Sequence, residues 1–467
     1  MLVLGAGILG ACAPTSPRNV PWGHGRAEIL VGRHFDRLVV KKGGLYHDPN
    51  LAAYVSGLGK RLAARSGRPG LPWTFRILDG DNLTAHAAPG GYIYVTRGLL
   101  SCLNNEAELA TLLCHEIGHV EAYHHFYHGD SFWALADRLN KPRRRGYGLQ
   151  EHWGWLRSHL PMAPHHHQLE ADALALRCLR RNGYPGRALF QLLSMMMRIG
   201  SQKRLAVAPE GKPERGRRDP EWTARLAQAR RLLGRDAHSL RRLPEQETFL
   251  RRLSGLVVAP NPAAGVRADG RYLNPAAGFQ ISLPTGWSAK VFRDRLIALV
   301  PGKPAVMLIY PSARSSRRKA LEELVGSGRN LQARSVTRGG LQALRGRYEI
   351  GQGARAEIAA FRAKGGVFVV ALVSPRSTWR GRGAEFSRLL GSLRAVVRPV
   401  PFSARPWRIR VLRARAETPL RRWTACVGDA QGLALVRKIN RFDPGVTLAR
   451  GQWVKCLVRR ARGRGRR

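Results

Sequence analysis

Thr111-Leu-Leu-Cys-His-Glu-Ile-Gly-His-Val120 is the stretch on which the reading of this 467-residue chain turns. On an α-helix, residues i and i+4 stand one above the other, so His115 and His119 point from one face toward one spot. Two neutral imidazoles held that way supply half of a tetrahedral zinc site. Glu116 lies about 100° round the helix, near enough to take a proton from a zinc-activated water without binding the metal itself. The flanks favour a helix. Asn104 and Asn105 can cap its start, Glu106 and Glu108 suit the positive end of its dipole, and Leu109-Ala-Thr-Leu-Leu-Cys114 contains no breaker. The pattern predicts that the helix runs on through Val120-Glu-Ala-Tyr-His124.

His-Glu-x-x-His has only three fixed positions, and a surface helix with two unrelated histidines also produces it. A catalytic zinc needs a third protein ligand and an open position. Gln168-Leu-Glu-Ala-Asp-Ala-Leu-Ala-Leu176 offers a carboxylate at the start of a second apolar helix. With these two blocks the chain resembles the zinc metallopeptidase family that includes the CAAX prenyl endopeptidases, the heat-shock protease HtpX and the periplasmic BepA-like proteases. The shared pattern is His-Glu-x-x-His followed downstream by Glu-Ala-Asp. The resemblance implies one Zn2+ per chain held by His115, His119 and Glu170, with Glu116 as general base and Asp172 orienting a ligand histidine. A third block, Ala85-His-Ala-Ala-Pro-Gly-Gly-Tyr-Ile-Tyr-Val-Thr-Arg-Gly-Leu-Leu100, looks like the family's edge strand and turn beside the active helix. Its residues alone read as a turn at Pro89-Gly-Gly91 and a strand at Tyr92-Ile-Tyr-Val-Thr96. Tyr92, Ile93, Tyr94 and Val95 are therefore expected to offer an edge to an extended substrate peptide.

Asp219-Pro-Glu-Trp-Thr-Ala-Arg225 resembles the family's late His-Pro-x-x-x-x-Arg segment. Arg225 takes the arginine position, where it either stabilises a developing oxyanion or locks the segment by a salt bridge, and Asp219 replaces the histidine. His124 matches a histidine that often follows the motif, although Tyr123 stands where arginine is usual. His165-His-His167 departs from the family's polar and acidic residues and reads as a solvated, metal-scavenging surface turn rather than extra ligands. Residues 130–164, rich in tryptophan and arginine, read as an irregular insertion over the cleft, with Trp133, Trp153 and Trp155 packing locally rather than lining a groove. The run Met195-Met-Met197 reads as core filler.

The length predicts two or three domains. The expected fold class is α+β multidomain: a mainly helical zincin-type peptidase domain with a small edge-stranded sheet, an α+β module, and a small LysM-like C-terminal module. The boundaries read as 1–12 signal, 13–27 tether, 28–253 peptidase, 254–274 linker, 275–400 accessory domain, 401–458 LysM-like module and 459–467 basic tail. Within them, residues 49–63 have helical periodicity and Trp73–Leu78 alternates like a strand. Strands are predicted at 305–310 and 366–373, and helices at 318–325 and 383–393. The spacing of Ile439-Asn440, Leu448 and Gly451-Gln452 resembles the second half of a LysM-type glycan-binding repeat, which makes peptidoglycan a candidate partner. The first half lacks the usual Gly-Asp-Thr-Leu.

Met1–Cys12 is a short apolar run that resembles a bacterial lipoprotein signal, with Leu9-Gly-Ala-Cys12 as lipobox and Cys12 lipidated, although no Lys or Arg precedes it. No later run approaches the ~20 apolar residues of a membrane span. The expectation is a periplasmic protein anchored to the envelope, at the outer membrane, by lipid. The formal charge of +48 invites a nucleic-acid reading. The arginines are spread along the whole chain and no helix-turn-helix, zinc finger or RNA-binding signature accompanies them, so specific nucleic-acid binding is not expected. Of the six cysteines, Cys102, Cys114 and Cys178 read as buried thiols, while Cys426 and Cys456 flank the last module and could bond in an oxidising periplasm. The function these readings predict is a zinc-dependent endopeptidase of the bacterial cell envelope acting on misfolded or unassembled proteins. The rival is a weakly active or inactive scaffold or cell-wall binder with a peptidase-like fold, against which the retention of Glu116 argues.

Overall fold

The computed structural model describes residues 24–41, 44–124, 165–200, 220–234, 246–258 and 265–459, the last span broken at 269, 293–294, 301–303, 313, 326–331, 351–352, 365, 381, 397–405, 424–425 and 427–429. Cys12 and its lipobox, the segment with Trp133, Trp153 and Trp155, Asp219 and the tail from 460 onward lie outside the described residues. The chain divides into two compact units. One is made of 1–254 with 411–419 and 434–455, the other of 255–410 with 420–433 and 456–467.

The first unit is mainly helical. It opens with α1 (His24–Lys41) and α2 (Pro49–Ala63). Asp48 caps α2 by accepting from the Leu51 N–H at 3.1 Å, and Pro49 sits in the first turn, where its missing N–H costs nothing. β1 (Thr74–Leu78), β2 (Ala85–Ala88) and β3 (Tyr92–Thr96) form one sheet in the order β1-β3-β2, with β3 parallel to β1 and antiparallel to β2. This corrects the expectation for Tyr92, Ile93, Tyr94 and Val95. β3 is the central strand, buried along its whole length, with backbone pairing on both sides. An apolar run without alternation marks a strand covered on both faces, and such strands sit inside sheets. The outer strands are β1, bridged by Leu45 at Leu78, and β2, which has no strand on its outer side among the described residues. The turn before β3 is pinned to α1: Gly90, at φ 74, gives its N–H to the buried Glu28 at 3.0 Å, and Glu28 also takes the fork of Arg68 at 2.6 and 3.1 Å.

α3 (Arg97–Cys102) leads into α4 (Glu106–Glu121), the helix of the quoted stretch. Asn105 caps it, its side chain accepting from the Glu108 N–H at 2.9 Å. Every residue from Ala107 to Val120 is buried, so α4 is a central helix rather than a surface one. It stops at Glu121, short of the predicted His124, because Tyr123 takes φ 57 and turns the chain back. α5 (His165–Arg181), α6 (Arg187–Gly200), α7 (Pro220–Leu233) and α8 (Gln246–Arg252) follow. The histidine triplet is the first turn of α5, not a surface turn: His165 and His166 are exposed and His167 is buried. α5 lies close against α4 because Gly118 has no side chain; a Cβ there would sit 3.0 Å from Leu174 Cβ and 3.1 Å from the Ala171 carbonyl oxygen. A disulfide, Cys114–Cys178, ties the two helices with Cα atoms 5.8 Å apart. This corrects the reading of both as thiols; Cys102 alone of the three is a buried thiol.

Residues 434–455 belong to this first unit and dock on the start of α4. Arg441, itself in a left-handed conformation at φ 61, forks onto Glu108 and reaches the Cys102 carbonyl at 3.1 Å. Lys455 is fully buried and donates to the carbonyls of Ser101 at 2.7 Å and Leu103 at 2.8 Å. Burial pushes the Lys455 ammonium down to about 7. A base depressed in the folded state binds fewer protons than the unfolded chain between that value and its ordinary one, so stability rises with pH across the window. The melting-temperature gap between wild type and Lys455→Met is expected to be flat below pH 7 and to move in favour of wild type from pH 7 upward. A gap independent of pH would show that this lysine does not titrate with folding.

The second unit begins with β4 (Val257–Val258), paired with Trp407 and Arg408. β5 (Val266–Ala268), β6 (Arg271–Asn274) and β7 (Phe279–Ser282) form a small sheet with Arg394–Ala395. A seven-stranded antiparallel sheet, in the order β11-β12-β13-β14-β10-β9-β8, is built from β8 (Ser288–Phe292), β9 (Arg295–Leu299), β10 (Val306–Pro311), β11 (Ala333–Arg338), β12 (Leu341–Ile350), β13 (Ala354–Ala363) and β14 (Gly366–Pro375). Its two faces carry separate cores. Phe361, Phe368, Val370 and Leu372 pack with Phe386, Leu389 and Leu390 of α10 (Arg382–Gly391). Ile358, Ala360, Val367, Val369 and Ala371 pack with Ala320, Leu321 and Val325 of α9 (Arg317–Val325). Odd and even positions of β13 and β14 thus serve opposite faces. Cys426 and Cys456 are bonded, with Cα atoms 4.5 Å apart. No helix among the described residues is long and apolar enough to cross a membrane.

Candidate active site

Four elements of the first unit converge: α4, α5, α7 and β2. One turn of α4 separates His115 from His119, and their Nε2 atoms come within 3.1 Å of each other. Nitrogens bound at ~2.0–2.1 Å to one tetrahedral zinc stand about 3.3 Å apart, so the spacing suits a shared cation. Asp172, two residues after Glu170 on α5, puts Oδ1 2.9 Å from His115 Nδ1, at an angle short of a straight hydrogen bond. Arg225 on α7 forks onto the same carboxylate, Nε to Oδ2 and Nη2 to Oδ1, both at 2.7 Å. Of the two readings open for Arg225, the geometry is that of the locking salt bridge. Trp222 backs it, with its ring 4.7 Å from the guanidinium carbon.

Glu116 is buried on α4, with the Ala87 N–H of β2 near enough to favour its charged form. Glu170 puts Oε2 3.2 Å from Nε2 of His124, whose Nδ1 lies 2.8 Å from Nδ1 of His119. His167 stacks flat on His124, ring centroids 4.0 Å apart. Sequence reasoning missed His124 as a bridging group and His167 as a buried one. The signal for the first was the histidine itself; its direction depended on Tyr123.

The charges follow from burial. Burial pushes the Glu116 carboxyl up, opposed by His115, by Arg225 and by the Ala87 N–H, which suits a group that must accept a proton near neutral pH. Burial, together with His115, His124, Arg225 and His167, holds His119 well below the usual histidine range, so its imidazole is neutral. For Asp172 burial acts upward, but the Arg225 fork and His115 outweigh it and the carboxyl is held low, charged throughout the physiological range.

The donor set can be tested for a metal by following its protons. The charged Asp172 draws the His115 proton to Nδ1, which leaves a lone pair on Nε2. The Glu170 carboxylate draws the His124 proton to Nε2, so His124 Nδ1 accepts from His119 Nδ1–H. His119 Nε2 is then a lone pair as well, and two lone pairs face each other across 3.1 Å. That arrangement can take a cation between them. Among the described residues no three donors already stand together as a closed cluster. Two imidazoles are gathered, while Glu170 is turned to His124.

Residues 49–132 match the profile of Peptidase family M48. A β-barrel assembly-enhancing protease of Yersinia pestis is 26% identical over 215 residues, 44% of this chain and 43% of that protein. A putative β-barrel assembly-enhancing protease of Vibrio cholerae serotype O1 is 34% identical over 97 residues, 21% of this chain and 20% of its own length. Mitochondrial metalloendopeptidase OMA1 of Schizosaccharomyces pombe is 37% identical over 79 residues, 17% of this chain and 23% of its own. The chain spans less than half the length of each of these relatives.

Proposed function

We propose that this chain, which carries a domain of peptidase family M48, is a zinc-dependent endopeptidase of the bacterial cell envelope that cleaves misfolded or unassembled proteins. The observation that carries the reading is the pair of Nε2 atoms 3.1 Å apart on one helix face, with the buried Glu116 carboxylate on the same helix. His115, His119 and Glu170 would hold the ion. Bound zinc supplies a Lewis acid for the scissile carbonyl and lowers the pKa of water toward ~7. Glu116, buried on the same helix as the two imidazoles, takes the proton of the attacking water and returns it to the leaving amine. Asp172, held by Arg225, keeps His115 in the tautomer that can bind metal.

Substrate in this reading lies extended along β2 rather than along Tyr92 to Val95. β2 has no neighbour on its outer side among the described residues, and its Ala87 N–H faces Glu116, so a peptide added there would run past the base. An unfolded chain can take that conformation and a compact one cannot. The envelope location rests on the relatives named for β-barrel assembly, on the lipobox reading of Cys12, and on two disulfides that suit an oxidising compartment. A peptidoglycan role for 401–458 has to coexist with the docking of 434–455 on α4.

The purified protein is expected to carry one zinc per chain and to degrade unfolded casein. Chelation should stop cleavage and added zinc restore it. Zinc retained without any cleavage would favour the scaffold reading, and a chain that takes up no zinc would end the metal reading.

A further inference from the structure

His124 reaches the site by an unusual backbone route. α4 ends at Glu121, and Tyr123 adopts φ 57, one of only two positive-φ residues other than glycine among the described residues. A non-glycine residue in that region is strained and persists only where its surroundings over-determine it. Here they do. Arg68 covers the Tyr123 ring at 4.1 Å and gives Nη1 to the Val120 carbonyl at 3.0 Å, and the fully buried Glu28 fixes Arg68. The corner delivers a buried imidazole whose two nitrogens are both engaged: Nδ1 with His119 Nδ1 at 2.8 Å and Nε2 with Glu170 Oε2 at 3.2 Å. His167, stacked on the ring with an interplanar angle of 9°, prevents it from turning away.

His124 is not itself a donor to the ion. Its Nδ1 meets the far side of His119 from the Nε2 that faces His115. What it can do is pass a proton preference from the carboxylate to the imidazole. Glu170 accepts His124 Nε2–H, so His124 Nδ1 must accept, and His119 must carry its proton on Nδ1. Without that acceptor, neutral His119 would be free to protonate Nε2, the nitrogen the ion needs. The same contact fixes the Glu170 carboxylate on His124, one imidazole away from His119.

We propose that His124 is a positioning residue for zinc: it sets the His119 tautomer and holds the proposed third ligand, Glu170, by its other nitrogen. The proposal rests on the zinc reading above and extends it. The loss of one such outer partner typically weakens metal binding about 10–100-fold.

The test is zinc affinity, measured by competition with a chromogenic chelator, on wild type, His124→Leu and His124→Gln. Glutamine can accept with its carbonyl and donate with its amide; leucine fills the space and does neither. His124→Leu is expected to bind zinc about 10–100-fold more weakly, and His124→Gln to recover most of that loss. Metal-free melting temperatures of all three are read alongside, and comparable values mean the affinity change is not unfolding. If the leucine variant melts lower, recovery of affinity in the glutamine variant decides. Equal zinc affinity in wild type and His124→Leu would overturn this inference and leave the zinc reading standing. Wild type that binds no zinc would overturn both.

Discussion

Glu116→Gln is expected to lower the hydrolysis of unfolded casein by at least about 10²-fold, toward the ~10⁴-fold upper end for loss of a general base, with zinc content unchanged. The substitution is close to isosteric. Its side chain has nearly the same size and shape, so position and packing in the buried site are kept. What disappears is the ability to take a proton from water and hand it to the departing amine. Neither His115 nor His119 can substitute, since their Nε2 atoms face each other, and Asp172 is already occupied by Arg225 and His115. Zinc content by metal analysis and cleavage by gel separate this from a binding defect. Retention of full activity in the variant would remove Glu116 from the mechanism.

Replacing Cys114 and Cys178 together by alanine is expected to destabilise the first unit by about 4 kcal/mol in the loop-closure picture, given a sequence separation of 64. That is large beside a typical domain stability of about 5–15 kcal/mol. Both cysteines are buried, so the bond closes inside the packed seam between α4 and α5 rather than on the surface. Its place in the sequence adds a functional consequence. Cys114 adjoins His115, and Cys178 lies on the helix that carries Glu170 and Asp172, so the bond constrains the seam between the two helices that carry the proposed zinc ligands. Urea titrations of wild type with and without reductant, and of the double variant, provide the check. Reductant should bring wild type down to the variant's midpoint and leave the variant unmoved. Two free thiols at these positions in protein from an oxidising compartment would contradict the bond.

Local physics explains which parts of this protein could be read in advance. α4 was legible down to its cap because Asn105, Glu106 and Glu108 are helix-start chemistry and act within one turn. The second-unit strands β10 and β14 and helices α9 and α10 were legible because long apolar runs and helical periodicity are local too. β12 was not, since Arg345 and Gly346 break its pattern; Arg345 is buried only because Glu357 on the neighbouring strand neutralises it. That partner lies 12 residues away.

That His115 and His119 share a face, with Glu116 beside them, was determined by the sequence alone, because helical spacing converts i and i+4 into a shared face without help from the rest of the protein. Glu170 and Asp172 entered only through the family resemblance. Tertiary structure decided everything that depends on two distant segments meeting. It made β3 central and β2 an edge, bonded Cys114 to Cys178, spent Arg225 on Asp172, and brought Arg441 and Lys455 back to the start of α4. It also turned His124 inward, through a Tyr123 conformation that no local preference favours and that Arg68 and Glu28, drawn from elsewhere in the chain, hold in place. Local spacing sets which groups can face one another; the packing of remote segments sets which of them do.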